Sequence, residues 1–139
     1  MTFDDVKMTN LPQHPAGYLS LQVVTQPRDA NASGDITAGW LLSQMDIAGA
    51  ALACRVARGR VATVSTGSMN YLRSIPVGGV VMIYCDLLHI GRSSIRVLTE
   101  VWCNDGDRDD PHKITEGEFV FVAIDEDGHT RAIPPREDE

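Results

Sequence analysis

Residues 36–57 of the chain, ITAGWLLSQMDIAGAALACRVA, decide the fold. They are rich in alanine, leucine and methionine and contain no proline, which predicts a helix of about twenty residues. Ser33 or Asp35 is expected to cap the start of this helix by accepting a hydrogen bond from a free backbone N–H, and Gly59 follows its end. Because the stretch is apolar nearly all round, we expect the helix to be buried in the core.

The sequence on either side of the helix is typical of strands. Alternating or β-rich patterns predict one strand before the helix and four after it, over residues 18–25, 61–71, 80–89, 94–103 and 114–125. Successive antiparallel strands need a cover on one face, and only one helix is available to provide it. The sequence therefore predicts the α+β class, with a curved antiparallel sheet wrapped around one long central helix.

The length of 139 residues fits one domain, and an apolar content of 43% lets it bury a core without disulfides or metal. The domain is predicted to span residues 1–139, with a loose lead-in over 1–16 and a frayed tail over 134–139. The longest weakly charged stretch of the chain contains Asp46. Placing this side chain at the centre of a bilayer would cost about 2.5 kcal/mol or more. A membrane-spanning segment is therefore not expected.

The cysteines and histidines predict neither a disulfide framework nor a metal site. No signal peptide is visible and the three cysteines lack CxxC spacing, which indicates a reduced, cytoplasmic protein that uses them as small apolar fillers: Cys54, Cys85 and Cys103. Zinc needs convergent ligands, but the four histidines are scattered: His14, His89, His112 and His129. A calcium loop over Asp105, Asp107, Asp109 and Glu116 would have Asp110 where glycine is required.

Charge is distributed unevenly along the chain. The net charge of −7 argues against a general nucleic-acid binder. Residues 51–99 nevertheless carry a single acidic side chain and six arginines: Arg55, Arg58, Arg60, Arg73, Arg92 and Arg96. Arginine is well shaped for a two-pronged grip on phosphate. This third of the chain is therefore predicted to hold an anionic small molecule, and a merely solvated surface explains the pattern equally well.

Asp46 is the only acidic or basic side chain between residues 36 and 54. A helical wheel places it away from the bulky face, which consists of Trp40, Leu41, Met45, Ala48, Leu52 and Val56. It heads a stripe of small residues, Ala50, Ala53 and Ala57, along which another backbone or a thin ligand could approach closely. We therefore expect Asp46 in a crevice between subunits. The alternatives are a carboxylate that faces water and one that is satisfied by a neighbouring subunit.

The loop before the helix offers two more polar groups. Backbone N–H groups near Gly39 point outward at the helix start, where the helix dipole adds roughly half a positive charge. Such groups suit a carbonyl oxygen that gains negative charge during a reaction. Asn31 adds a neutral donor and acceptor at the base of the loop. A base or nucleophile, an oxyanion site and an orienting amide are thus all present, without a Ser–His pair.

Residues 29–46, DANASGDITAGWLLSQMD, resemble the DTNANGDIFGGW-LMSQMD signature of bacterial hot-dog acyl-CoA thioesterases of the YciA-like branch. The likeness covers about residues 18–135, with weaker matches at 59–61, 68–73, 77–78, 91–94, 121–125 and 131–134. It implies a hot-dog fold and hydrolysis of acyl-CoA thioesters, with coenzyme A as part of the substrate and no separate cofactor. It also implies homodimers that assemble into hexamers, with each site built from two subunits.

The resemblance assigns roles by position. Asp46 matches the catalytic carboxylate, Asn31 the asparagine that positions water or thioester, and Gly39 the glycine whose N–H stabilises the oxyanion. Residues that match the coenzyme-binding segments are Ser68, Arg73, Arg92, Ser93 and Ser94. The chain has Thr37-Ala38 where relatives have Phe-Gly, so the mouth of the acyl pocket is expected to differ. Gly67 replaces a frequent acidic residue, and the substrate range is expected to change with it.

Hydrolysis of an acyl-CoA thioester to coenzyme A and a free acid is the predicted reaction. Because a thiolate leaves readily, the enzyme needs a nucleophile and a stabilised oxyanion, and Asp46 would either deprotonate water or attack the carbonyl itself. One alternative is a non-catalytic acyl-CoA-binding module or sensor. A hot-dog dehydratase is disfavoured because it normally relies on a histidine, which the helix signature lacks. A purely structural oligomer would bind no acyl-CoA.

Overall fold

The computed structural model describes residues 14–106 and 111–136. Its elements, in chain order, are β1 (Tyr18–Val24), a 3-10 helix (Pro27–Asp29), α1 (Ala38–Ala57), β2 (Val61–Thr66), β3 (Val80–Ile90), β4 (Ser94–Asn104) and β5 (His112–Ala123). Most of the predicted lead-in, the last three residues of the predicted tail, and Asp107 and Asp109 of the calcium-loop alternative lie outside the described residues. Among the described residues, no helix is both long and apolar enough to cross a bilayer.

The five strands form one antiparallel sheet in the order β1-β3-β4-β5-β2, and α1 contacts all five. In the first half of β4, buried residues alternate with more exposed ones, and Ile95 and Val97 are fully buried. A period of two in burial is what a strand with one covered face requires. The predicted α+β fold, one long helix packed on an antiparallel sheet, is confirmed.

The close approach of α1 to the sheet depends on small side chains. A Cβ atom on Gly49 would lie 3.0 Å from Cζ of Phe121 and 3.5 Å from Cγ2 of Thr99. Ala53 and Ala57 are fully buried on the same side of the helix. Ala53 and Ala57 of the predicted small-residue stripe therefore pack against the chain's own sheet and are not the surface along which a ligand or another subunit approaches.

The start of α1 is capped by a residue other than the expected ones, whereas Gly59 follows its end as predicted. Oγ1 of Thr37 accepts a hydrogen bond from the N–H of Trp40 at 3.1 Å, so neither Ser33 nor Asp35 caps the helix. Their own N–H groups instead donate to the side chain of Asn31, which keeps them in the preceding loop. At the other end Arg58 adopts the left-handed conformation, with φ of 54°.

The strand after the helix is shorter than predicted. It ends at Thr66 rather than at Tyr71, although the chain continues beside β5. The side chain of Met69 crosses β5 at Gly117, where a Cβ would lie 2.9 Å from its sulfur. Beyond that crossing, the N–H of Leu72 donates to the carbonyl of β5 residue Ile114 at 2.8 Å. The irregular stretch remains attached to the sheet without forming a ladder.

The described end of the lead-in is anchored to the sheet. The N–H of Ala16 donates to Oε2 of Glu100 at 2.6 Å, and Nζ of Lys113 lies 2.8 Å from the other carboxylate oxygen. Glu100 is only 4% exposed. A buried carboxylate needs such partners because desolvation alone is costly. These bonds tie Ala16, the last residue of the predicted lead-in, to the sheet.

Replacing Gly49 by valine should destabilise the fold. The added side chain must displace the fully buried ring of Phe121, which stacks on Phe119 with centroids 6.2 Å apart. Overpacking of this kind costs about 1–3 kcal/mol, more than the gain of roughly 0.5 kcal/mol in helix propensity. Urea unfolding measures the change. The control is Gly39→Ala, which has open space and should shift stability by at most about 1 kcal/mol. An unchanged midpoint for Gly49→Val would contradict this packing.

Candidate active site

Asp46 lies on the side of α1 that faces β2. Its side chain is half-buried, and Oδ1 accepts a hydrogen bond from Oγ1 of Thr63 in β2 at 2.6 Å. Among the described residues, the hydrogen bond from Thr63 goes to Oδ1, and none goes to Oδ2. Because β2 is an edge strand that pairs only with β5, the carboxylate sits beside an open edge of the sheet. It is neither sealed in the core nor surrounded by bulk water.

Asn31 orders the loop that leads into α1. Its Oδ1 accepts hydrogen bonds from the N–H groups of Ser33 at 2.9 Å and Asp35 at 3.1 Å. These bonds engage the side-chain oxygen and leave the Nδ2 group exposed at the surface. The asparagine can therefore act toward a ligand as a hydrogen-bond donor.

Gly39 is exposed in the first turn of α1, where backbone N–H groups have no acceptor within the helix. No neighbouring atom lies within 4 Å of the position that a Cβ would take. The space beside this position of the first turn is therefore open. Gly39 and Asp46 are separated by seven residues, which is about 10 Å along a helix axis. The structure does not bring these two predicted residues together within one chain.

The predicted coenzyme-binding residues also fall into two separate places. Arg73 lines a cavity of about 350 Å³ at the start of α1, whereas Arg92 lines one of about 310 Å³ at the β3–β4 turn. The first segment bonds to β5 at Ile114, and the second bonds at Ala123, where an N–H donates to the carbonyl of Ser93. Ile114 and Ala123 are nine positions apart along the strand, a distance of about 30 Å.

The serines of the predicted set divide in the same way. Ser68 is exposed in the irregular segment after β2, whereas Ser94 begins β4 and is half-buried. The carbonyl of Ser94 accepts a hydrogen bond from the N–H of Gly91 at 2.7 Å, which closes the turn. Ser93 and Ser94 therefore share the end of the sheet with Arg92.

A third cavity, of about 750 Å³, lies beside the second half of α1. It is lined by Leu52 and Arg55 of α1, together with Leu87 of β3. These helix positions lie on the side of α1 opposite Asp46. This cavity therefore contains none of the predicted catalytic or coenzyme-binding groups.

Two cysteines are poor nucleophiles in this environment. Burial raises the pKa of the Cys85 thiol to about 11, against a smaller opposing effect of its hydrogen bond with Ser20. Burial also raises the pKa of the Cys103 thiol to about 11, with a further contribution from the charge of Asp105. Both are the apolar fillers that the sequence predicted, whereas Cys54 is exposed and that prediction is wrong for it.

Among the described residues after β5, three side chains of the kinds that bind metal ions lie close together. Asp125, Asp127 and His129 offer atoms within 4.8 Å of one another. The same Oδ1 of Asp125 accepts hydrogen bonds from the backbone N–H groups of Asp127 and His129, each at 2.9 Å. The carboxylate thus serves to close this turn.

Sequence reasoning missed Thr63. The available signal was the short connection between α1 and β2, which makes the strand run back along the helix. A hydroxyl two residues into that strand can then meet a polar side chain on the helix. Composition and helical periodicity say nothing about such a contact, because it joins two elements.

The chain is similar to known proteins in sequence and in structure. Residues 33–109 match the family model of the thioesterase superfamily. The chain is 44% identical over 133 residues to the acyl-CoA thioester hydrolase YciA of Salmonella typhimurium, covering 91% of this chain and 98% of that protein. It is 44% identical over 126 residues to the YciA hydrolase of Escherichia coli, covering 86% and 93%.

The fold of the chain is also similar to those of solved thioesterase structures. A hexameric broad-specificity acyl-coenzyme A thioesterase superposes with a TM-score of 0.85 at 42% identity, covering 89% of this chain and 86% of that one. The hexameric thioesterase y2039 from Yersinia pestis has a TM-score of 0.83 at 41% identity, covering 88% and 100%. The chain therefore belongs to the thioesterase superfamily, as a hot-dog protein whose likeness to the YciA acyl-CoA thioester hydrolases extends over most of its length.

Proposed function

We propose that this protein hydrolyses acyl-CoA thioesters to coenzyme A and a free carboxylic acid. The observation that carries the proposal is Asp46, a carboxylate on an otherwise uncharged stretch of helix, held by Thr63 beside an open sheet edge. The two YciA hydrolases support it through 44% identity over most of the chain. The reaction requires no cofactor beyond the coenzyme of the substrate. We place it in the cytoplasm, where the three free thiols remain reduced.

The chemistry needs an attacking group and a stabilised oxyanion. Oδ2 of Asp46 either removes a proton from water, whose oxygen then attacks the thioester carbon, or attacks that carbon itself to form a mixed anhydride that water cleaves. Either route expels the coenzyme as a thiolate. The N–H of Gly39, at the positive end of α1, stabilises the oxygen that becomes charged. The Nδ2 group of Asn31 orients the water or the thioester.

One chain does not complete this arrangement. A reacting carbonyl must lie about 3 Å from both its oxyanion donor and its attacking group, yet Gly39 and Asp46 are about 10 Å apart along α1. We infer that one copy supplies Asp46 and another supplies Gly39. The open edge of β2, where Val64 is 57% exposed, is the surface on which a second copy can add its strand. The hexameric state of two similar thioesterases supports assembly into a hexamer, which we propose is built from such dimers.

The coenzyme is held by Arg73 near one end of β5 and by Arg92, Ser93 and Ser94 near the other, with Ser68 beside the middle of the strand. Because the two β5 positions to which the segments of Arg73 and Arg92 bond are about 30 Å apart along the strand, we infer that the same assembly is needed for both arginines to reach one coenzyme. The cavity beside Arg73 has a floor of buried aliphatic side chains, Leu41, Ile75 and Ile114. This floor suits an acyl chain. Thr37 and Ala38 line its mouth, where the resemblance indicates an altered pocket.

Replacing Asp46 by asparagine should abolish most of the activity without loss of binding. The change removes the base or nucleophile and preserves the shape of the side chain, so kcat should fall by about 10²-fold or more. A panel of acyl-CoAs of different chain lengths, followed by free thiol release, measures turnover, and calorimetry measures binding. Asp86→Asn on β3 is the matched control and should keep full activity. Unchanged turnover in the Asp46→Asn variant would refute the assignment, and binding without cleavage by the native protein would favour the acyl-CoA sensor.

Replacing Arg92 by alanine should weaken coenzyme binding. Loss of a charge-assisted contact to phosphate is worth about 1.5–3 kcal/mol, so KM should rise by roughly 10-fold or more while kcat changes little. Added salt should diminish the difference between the variant and the native enzyme. Arg96→Ala is the control, because the Arg96 guanidinium pairs with Glu118. Equal KM values for the Arg92 variant and the native enzyme would remove Arg92 from the site.

A further inference from the structure

The cavity on the side of α1 away from Asp46 is large enough to hold a small ligand. Its volume of about 750 Å³ falls within the range of roughly 300–1,000 Å³ that small-molecule sites occupy. The second half of α1 forms one wall, and the strands β1 and β3 form the other. We call this cavity the back cleft and define it by Leu52, Arg55 and Val56 of α1 and by residues 85–87 of β3.

The back cleft is open because β1 is shorter than its neighbour. Tyr18, the first residue of β1, pairs with Cys85, whereas β3 continues to Ile90. The chain turns away from the sheet at Gly17, where φ is 77° and a Cβ atom would lie 2.2 Å from the carbonyl oxygen of Cys85. Only glycine tolerates both the positive φ and this close approach. Beyond Cys85, β3 therefore has no strand of the described residues on this side.

One part of the back cleft is apolar. Leu52 and Val56 lie one turn apart on α1, and Leu87 lines the cleft from β3, with all three side chains half-buried. Tyr18 and Leu19 also line it, and they are 86% and 50% exposed. Apolar surface that stays exposed beside a cavity is typical of a binding site. These side chains can cover an aliphatic chain.

The other part of the back cleft is positively charged. Three arginines line it, Arg55, Arg58 and Arg136, against Asp86 as the one carboxylate among the described lining residues. Arg55 is exposed and forms no ion pair with another described residue. Two of these arginines, Arg55 and Arg58, belong to the arginine-rich third of the chain that predicted an anion site, and the proposed function uses neither of them. The charge favours a ligand with a negative head group.

We propose that the back cleft binds a fatty carboxylate, with the carboxylate on Arg55 and the aliphatic chain along Leu52, Val56 and Leu87. A planar carboxylate matches the two parallel donors of a guanidinium. A singly charged head group suits the lining better than a coenzyme with several phosphates, because Asp86 repels additional negative charge. The site goes beyond the proposed function, since it includes none of the residues to which we give a catalytic or coenzyme-binding role.

The experiment measures binding of dodecanoate to the assembled protein by calorimetry, with uncharged dodecanol as the matched ligand. Arg55→Gln should raise the Kd of dodecanoate by about 3- to 10-fold, because an exposed charge-assisted contact is lost. Asp86→Asn should lower it by roughly two- to four-fold, because a repulsive charge is removed. Arg96→Gln is the control and should not change it. The Kd of dodecanol should respond to none of these changes.

A bulky side chain in the back cleft shows where the ligand binds. Ala51 is exposed and lines the cleft, so Ala51→Trp should fill it and raise the Kd of dodecanoate by about 10-fold or more, with KM for acyl-CoA within about two-fold of the native value. In the native protein the Kd should fall by roughly two- to four-fold for each methylene added between decanoate and dodecanoate. Thermal unfolding identifies a folding defect, and Arg55→Gln keeps the test decisive should the tryptophan variant not fold.

Three results would overturn the inference. Native affinity for dodecanoate in both Arg55→Gln and Ala51→Trp would place the ligand elsewhere. Equal affinity for dodecanoate and dodecanol would remove the role of the arginine. A changed oligomeric state of Ala51→Trp in light scattering would make the back cleft a contact between copies. Failure of the proposed function is distinguishable from all three, since it would appear as native turnover in the Asp46→Asn enzyme and would leave these affinities unchanged.

Discussion

The close packing of one helix on one sheet is the constraint on which the rest of this structure depends. At Gly49 the helix comes so near the ring of Phe121 that a single added carbon would meet it at 3.0 Å. The buried alanines that follow continue the same contact toward the end of the helix. This packing fixes the rotation of α1 about its axis. The rotation in turn decides that Asp46 faces the edge strand β2 rather than the core or the solvent.

The position of Asp46 at a sheet edge has consequences beyond one chain. An edge strand presents unpaired backbone groups that natural proteins cover or pair. In this protein the same edge carries Thr63, the hydrogen-bond donor to the carboxylate. The first-turn N–H of Gly39 lies too far along α1 to serve the same carbonyl within one chain. Assembly and catalysis are therefore linked in the proposal, because the copy that covers the edge also completes the reacting groups.

Regular elements were predictable from the sequence because local patterns determine them. The helix over 36–57 and the five strands follow from periodicity and turn residues, and the element order then leaves one way to cover the sheet. The resemblance to hot-dog thioesterases supplied Asp46, Asn31 and Gly39 as candidates. The family is now established by direct similarity, whereas the roles of these residues in this chain stay predictions.

Contacts between elements were not predictable in the same way. The small residues of α1 pack against the sheet, and only the positions of Phe121 and Thr99 reveal that. Thr37 replaces Ser33 and Asp35 as the helix cap because Asn31 engages the backbone of both. The bond from Thr63 depends on the path of β2 past the helix. Each of these outcomes arises from pairs of residues distant in sequence, which a single sequence does not connect.

The most direct measurement is a crystal structure of the assembled protein with an acyl-CoA analogue whose thioester is replaced by an uncleavable thioether ketone. The account predicts that the carbon standing for the thioester carbonyl lies about 3–4 Å from Oδ2 of Asp46, with its oxygen on the Gly39 N–H of another copy. An analogue whose carbonyl lies more than about 8 Å from every Asp46 carboxylate would contradict the account.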